Sequence, residues 1–272
     1  MCRILGCVAR EPVSIRHELL ESENPFIRQS EQHDSGWGMA VYERPDGDRP
    51  SCMRFARAAY EDPDFTRATE QRGRIFNAHV RRATMGGLTL ENTHPFCLGN
   101  YSFGHNGTVL HYARLAEPGV ADARGQTDSE HLFNFLMRDF DPGAVAASLR
   151  RAVLAVIERS RFSGVNFLFS DGERLYAYRL GIFELHWAAR PGRLLVASEK
   201  LSDGPWHTVK QDVLLTLDPE DPEEPHAERL VGDAAVASAD IVKFEEGTGL
   251  SGAARGAFAA ERAARLAAPA QQ

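Results

Sequence analysis

Val165-Asn166-Phe167-Leu168-Phe169-Ser170-Asp171-Gly172-Glu173-Arg174-Leu175-Tyr176-Ala177-Tyr178-Arg179-Leu180 is the stretch on which the fold turns. Two runs rich in β-formers flank Asp171-Gly172, a residue pair that takes the backbone angles of a tight hairpin turn. Ile182 to Ala189, the turn Arg190-Pro191-Gly192, and Arg193 to Ser198 repeat the pattern, and Val213 to Leu217 adds a further strand. This half of the chain is predicted to be antiparallel sheet.

Upstream, Ala144 to Arg159 places Val145, Leu149, Val153, Val156 and Ile157 on one stripe, the spacing of an amphipathic helix. Before it, Thr127-Asp128-Ser129-Glu130 has the capping-box form, a hydroxyl followed three residues on by glutamate. His131 to Phe140 continues with helical spacing at Leu132, Phe135 and Leu136. Nearer the start the pattern is extended again: residues 3–9, Gly36 to Val41, Ser51 to Phe55, Arg74 to Val80 and Tyr101 to His105 read as strands. Arg44 to Pro50 reads as a turn, Asp64 to Arg72 as a short polar helix, and Met85 to Thr93 as a loop. Strands, two central helices and then hairpins predict an α+β chain. Neither repeat nor linker divides it, so residues 2–250 are expected to form one domain, with an Ala-rich helix and tail over 251–272.

Of the 272 residues, 43% are hydrophobic and 25% charged, as in ordinary globular proteins. A formal net charge of −7 argues against nucleic-acid or anionic-membrane binding, which needs a basic face. No apolar run approaches the ~20 residues that span a bilayer. The opening Met1-Cys2-Arg3-Ile4-Leu5-Gly6-Cys7 lacks the apolar core of a signal peptide. Cys2, Cys7, Cys52 and Cys97 are too sparse for a disulfide framework and form no C-x-x-C pair, so a cytoplasmic protein with reduced thiols is expected. His33, His79, His94 and His105 show neither H-x-x-x-H nor H-E-x-x-H spacing, and both glycine-rich nucleotide motifs are missing from the sequence; no metal or cofactor is expected.

Candidate chemistry begins at Cys2. Removal of Met1 would leave a thiol and a free α-amine on one residue, and an α-amine titrating near pH 8 can take the thiol proton at neutral pH. A cysteine that merely follows the start codon is the plain alternative. Arg81, ending a strand, suits a carboxylate through a two-pronged hydrogen bond, with the Thr84 hydroxyl in support; a surface arginine is the alternative. In His105-Asn106-Gly107 an amide and a glycine N–H at a tight turn suit an oxyanion hole, although Asn-Gly is also the commonest hairpin turn. Asp128, at a helix start whose cap Thr127 and Glu130 already supply, suits a substrate ammonium or plain helix stabilisation. Gly36-Trp37-Gly38 reads either as pocket wall or as buried anchor.

In order and spacing, Cys2, Gly36-Trp37-Gly38, Arg81-x-x-Thr84 with Gly86, Asn92-Thr93-His94-Pro95, His105-Asn106-Gly107, Thr127-Asp128-Ser129-Glu130 and Ala197-Ser198-Glu199 resemble the class II glutamine amidotransferases. The opening Met-Cys-Arg, residues 91–96 and Ser170-Asp171-Gly172 are most similar to the free-standing bacterial subgroup, which includes the γ-glutamyl hydrolase of ergothioneine biosynthesis. The resemblance implies a four-layer αββα sandwich of two antiparallel sheets, the N-terminal-nucleophile hydrolase fold. It implies Cys2 as nucleophile with its own amine as base, and Asn106 and Gly107 as the oxyanion hole. Arg81 and Asp128 would grip the substrate's α-carboxylate and α-ammonium, with Thr84 and His94 as pocket support. The substrate would be a small molecule, glutamine or a γ-glutamyl compound. Arg82 stands where synthase members carry tryptophan and Met85 where they carry histidine, which alters the surroundings of Arg81. After residue 200 only ~70 residues remain, fewer than a large acceptor domain needs. The expectation is a stand-alone hydrolase, or a glutaminase feeding a separate ammonia-accepting enzyme. The rivals are a non-catalytic amino-acid-binding protein using the same pocket and a hydrolase built on a Cys-His pair.

Overall fold

The computed structural model describes residues 2–44 and 49–243. The tip of the first predicted turn and the Ala-rich end lie outside the described residues. Thirteen strands are present among those described: β1 Arg3–Val13, β2 Trp37–Tyr42, β3 Ser51–Phe55, β4 Gly73–Val80, β5 Phe96–Leu98, β6 Tyr101–Val109, β7 Phe162–Ser170, β8 Leu175–Arg179, β9 His186–Arg190, β10 Arg193–Ala197, β11 His207–Thr208, β12 Val213–Asp218 and β13 Asp221–Arg229. The α-helices are α1 Phe26–Gln29, α2 Pro63–Ala68, α3 Asp128–Arg138, α4 Val145–Arg159 and α5 Asp233–Ser238.

The strands make two sheets, ordered β11-β9-β10-β1-β4-β2-β3 and β13-β12-β8-β7-β6-β5. Every pairing between named strands is antiparallel. Strand alternation sorts β1 onto two faces. Ile4 and Val8 join Ile75, Leu168, Leu175 and Leu194 in a core between the sheets. Leu5 and Cys7 turn outward to Phe26, Phe65 and Phe76, under α1 and α2. On the far side, Leu132, Phe135, Leu149, Val153 and Val156 of α3 and α4 pack on Phe103, Val165 and Phe167. The result is the expected four-layer αββα sandwich.

Both predicted hairpins form, β7–β8 and β9–β10, in continuous antiparallel register. α2 starts one residue earlier than the polar stretch suggests, at Pro63 with the Asp62 carboxylate accepting from the Asp64 N–H, and it ends sooner, at Ala68. β13 went unread in the sequence: it carries Pro222 and Pro225 and is largely exposed, as an edge strand can be. Among the described residues no helix is long and apolar enough to cross a membrane.

The expectation of reduced thiols needs correction, since a disulfide joins Cys52 on β3 to Cys97 on β5. The two cysteines sit on edge strands of different sheets, a proximity that only the stacking of the sheets creates. With a sequence separation of 45 residues, the bond restricts the unfolded chain. Reduction, or Cys52→Ser, is therefore expected to lower stability by up to about 4 kcal/mol. Denaturant unfolding with and without reductant measures this directly; identical midpoints would rule it out.

Candidate active site

Cys2 immediately precedes β1, whose Arg3 pairs with Val80 at the end of β4. The chain leaving β4 therefore passes beside Cys2, and the Cys2 thiol is buried and donates to the Arg82 carbonyl at 3.7 Å. Burial pushes this thiol above its ordinary range. The N-terminal ammonium, a backbone hydrogen bond from Arg82 and the Arg81 guanidinium pull it back, while the Asp128 carboxylate adds to the rise. A cation and an anion thus both act on the same sulfur.

Arg81 is only 2% exposed. Its guanidinium donates to the carbonyls of Met85 (2.7 Å), Gly87 (2.9 Å) and Gly86 (3.4 Å), so the following loop curls back and fixes it. The Arg81 main chain is clamped as well, its carbonyl accepting from Ser35 and its N–H donating to Gly36. The Thr84 hydroxyl lies 3.4 Å from that of Thr108, bringing this loop against β6.

β6 presents the remaining groups by alternation. Phe103 faces the helical core, and His105 shares that face, its Nδ1 accepting from the Ser129 hydroxyl at 2.9 Å. Asn106 lies on the opposite face, toward the other sheet, with neither its Oδ1 nor its Nδ2 hydrogen-bonded although both are buried. An amide left so costs about 1–3 kcal/mol per group, and such exceptions in a folded protein call for a reason.

Gly107 pairs with Val165, whose own N–H is directed the other way, to Leu180. In an antiparallel ladder that makes the pair a non-bonded one, so the Gly107 N–H points off β7 to the side where β5 covers only Tyr101–Phe103. On this same side His105 offers its carbonyl to His79 Nε2 (3.1 Å), and the Val109 N–H donates to Asp128 Oδ2 (2.7 Å). A Cβ at 107 would lie 1.8 Å from the Gly164 carbonyl oxygen, so only glycine lets β6 and β7 approach this closely. The Asn-Gly pair is thus inside a strand, and the tight turn read from the sequence is corrected.

Asp128 is the first residue of α3. Thr127 caps the helix, its hydroxyl accepting from the Glu130 N–H at 3.3 Å. Glu130 departs from the capping-box expectation, because its carboxylate receives the N–H groups of Arg124 and Gly125. Burial raises the Asp128 pKa, with His105 and the Val109 N–H opposing the rise. A carboxyl raised in this way favours folding most when protonated, and that contribution is lost as pH climbs through its folded pKa. Asp128→Asn is therefore expected to be more stable than the native chain at neutral pH, the gap closing as pH falls into the carboxylate range. Thermal melts from about pH 4 to pH 8 test the sign.

His94, after which the peptide bond to Pro95 is cis, stacks on His79 at 4.1 Å, and burial pushes the pKa of both rings down. Neither His94 nitrogen has a hydrogen-bond partner, and the His79 ring it stacks on joins β4 to the His105 carbonyl of β6. Trp37 proves to be the buried anchor: it stacks on Phe55 and donates to Asp62 at 2.8 Å, on the outer side of its sheet. Among the described residues no three His, Cys, Asp or Glu side chains are grouped as metal ligands. The structure also adds the Arg82 carbonyl, Thr108 and Ser129, which no local pattern marked, because each reaches the site through long-range pairing.

A protein of Methanocaldococcus jannaschii is 33% identical over 216 residues, covering 73% of this chain and 58% of its own length. The chain thus spans little more than half of that relative. A glutamine aminotransferase class-II domain protein from Silicibacter pomeroyi superposes with a TM-score of 0.60 at 22% identity, over 85% of this chain and 100% of that one. The glutamine phosphoribosylpyrophosphate amidotransferase of B. subtilis gives a TM-score of 0.65 at 17% identity, over 85% of this chain and 50% of its own. These two share the fold, the N-terminal-nucleophile sandwich. The family described as glutamine amidotransferases class-II matches residues 1–193, which hold every group assembled above, and the chain belongs to that family.

Proposed function

We propose that the chain, once Met1 is removed, hydrolyses the γ-amide of glutamine or of a γ-glutamyl conjugate. The observation that carries this reading is the Asn106 amide, buried without a partner beside a glycine whose N–H is directed off its strand. Two such donors are what a tetrahedral oxyanion requires. Arg81 and Asp128, of opposite charge and both acting on the Cys2 sulfur, suit the carboxylate and ammonium of an amino-acid head group.

In the reaction the Cys2 α-amine takes the thiol proton and sulfur attacks the amide carbon. Asn106 and Gly107 hold the oxyanion, with Thr84 and His94 supporting the pocket. As the C–N bond breaks, the α-ammonium returns its proton to the leaving amine. Water then cleaves the γ-glutamyl thioester, giving a free γ-carboxylate and restoring the thiol. The released ammonia or amine goes to solvent or to a separate acceptor enzyme. A γ-glutamyl conjugate suits this reading as well as glutamine itself.

One feature favours the rival binding protein: burial pushes the Cys2 thiol up, away from the thiolate that attack requires. Mass spectrometry after treatment with 6-diazo-5-oxo-L-norleucine separates the two. The expected result is a single adduct on a peptide that begins at Cys2. Native protein that retains Met1 and takes no adduct would be a binder.

A further inference from the structure

Two loops flank the pocket, and one buried side chain outside the proposed reaction ties them together. Asn92 is 1% exposed, and both ends of its amide are hydrogen-bonded. Nδ2 donates to the Gly87 carbonyl at 3.1 Å, and Oδ1 accepts from the Gln126 N–H at 2.7 Å. Gln126 answers across the gap, its Oε1 accepting from the Gly87 N–H at 3.3 Å. Both loops pass so close that a Cβ at Gly86 or Gly125 would lie 2.7 or 2.4 Å from the Asn92 amide. Gly86 also has φ +70°, which a side chain would strain.

Each loop leads directly to a charged group of the pocket. The Gly87 carbonyl that Asn92 holds is the same one that receives Arg81 Nη1. On the other side Gln126 is followed by the cap Thr127 and then by Asp128, and Glu130 fastens the preceding N–H groups of Arg124 and Gly125. Moving Asn92 would therefore shift Arg81 relative to Asp128.

We propose that Asn92 is a positioning residue that sets the separation of Arg81 and Asp128, and so selects substrates bearing both an α-carboxylate and an α-ammonium on one carbon. This rests on the reading of the pocket given above. A head group with both charges on one carbon allows little change in the spacing of its two partners, whereas attack by the Cys2 sulfur on a reagent without a head group needs neither. Loss of Asn92 should therefore weaken recognition and leave the nucleophile intact.

The test compares two reagents on Cys2: 6-diazo-5-oxo-L-norleucine, which carries the amino-acid head group, and iodoacetamide, which does not. In Asn92→Ala the rate constant with the first is expected to fall about tenfold or more, the scale of one or two lost hydrogen bonds. The rate with iodoacetamide should stay within about twofold. Gln126→Ala removes only the exposed half of the tie, leaves the core untouched, and should shift the ratio the same way by about threefold. Equal falls with both reagents would mean a merely structural Asn92, and an unchanged ratio in both variants would also overturn the proposal. A native protein that iodoacetamide modifies but the diazo compound does not would instead overturn the underlying γ-glutamyl reading.

Discussion

Cys2→Ala is expected to lower kcat/KM on a γ-glutamyl substrate by a factor on the order of 10⁴ or more, as nucleophile removal does in hydrolases that form a covalent intermediate. The fold should survive, because alanine fills most of the same small space before β1. Cys7→Ala supplies the control. Its thiol is also buried and pushed up to about 12, yet it faces the outer core and donates to the Val8 carbonyl, so activity should persist. Blocking removal of Met1 should cost as much as the alanine substitution, since the proposed base is then tied up in a peptide bond. Steady-state release of ammonia or amine measures all three. Full activity in Cys2→Ala would end the nucleophile assignment.

Asn106→Ala is expected to cost 10²–10³ in kcat, the usual loss of one oxyanion donor, with a smaller change in KM. Stability should move differently. The Asn106 amide makes no hydrogen bond among the described residues, so its removal deletes a desolvated polar group and opens a small space. These two effects oppose each other, and the melting temperature is expected to stay level or rise. Activity that collapses while stability holds is the signature of a group kept for the transition state. A sharp drop in melting temperature with kcat intact would instead make Asn106 a packing residue.

Several local features were readable before any tertiary structure. The two runs rich in β-formers on either side of Asp171-Gly172 predicted β7 and β8, which are buried almost throughout, and the apolar stripe from Val145 to Ile157 predicted α4, because one face of that helix must be buried. Thr127 was legible as a cap, since a hydroxyl before a helix has a local partner. β13 was not legible, because an exposed edge strand needs no apolar pattern. Glu130 misled for a related reason: its nearest N–H by sequence was Thr127, but the loop at Arg124 and Gly125 offered two.

The sequence by itself determined the strands and helices that carry an apolar pattern and supplied the residue types of the pocket in order, from Cys2 through Arg81, Asn106 and Gly107 to Asp128. It did so because periodicity, turns and caps are short-range. Only the tertiary structure decided that the Asn106 amide is unpartnered, that the Gly107 N–H leaves its sheet, and that Arg81 is locked by its own loop. The Cys52–Cys97 disulfide and the Asn92 tie were decided there too. Each depends on which strand lies alongside which, and on which face of β6 meets the other sheet. Those choices arise from burying two sheets against each other, a long-range effect with no local signal at the residues concerned.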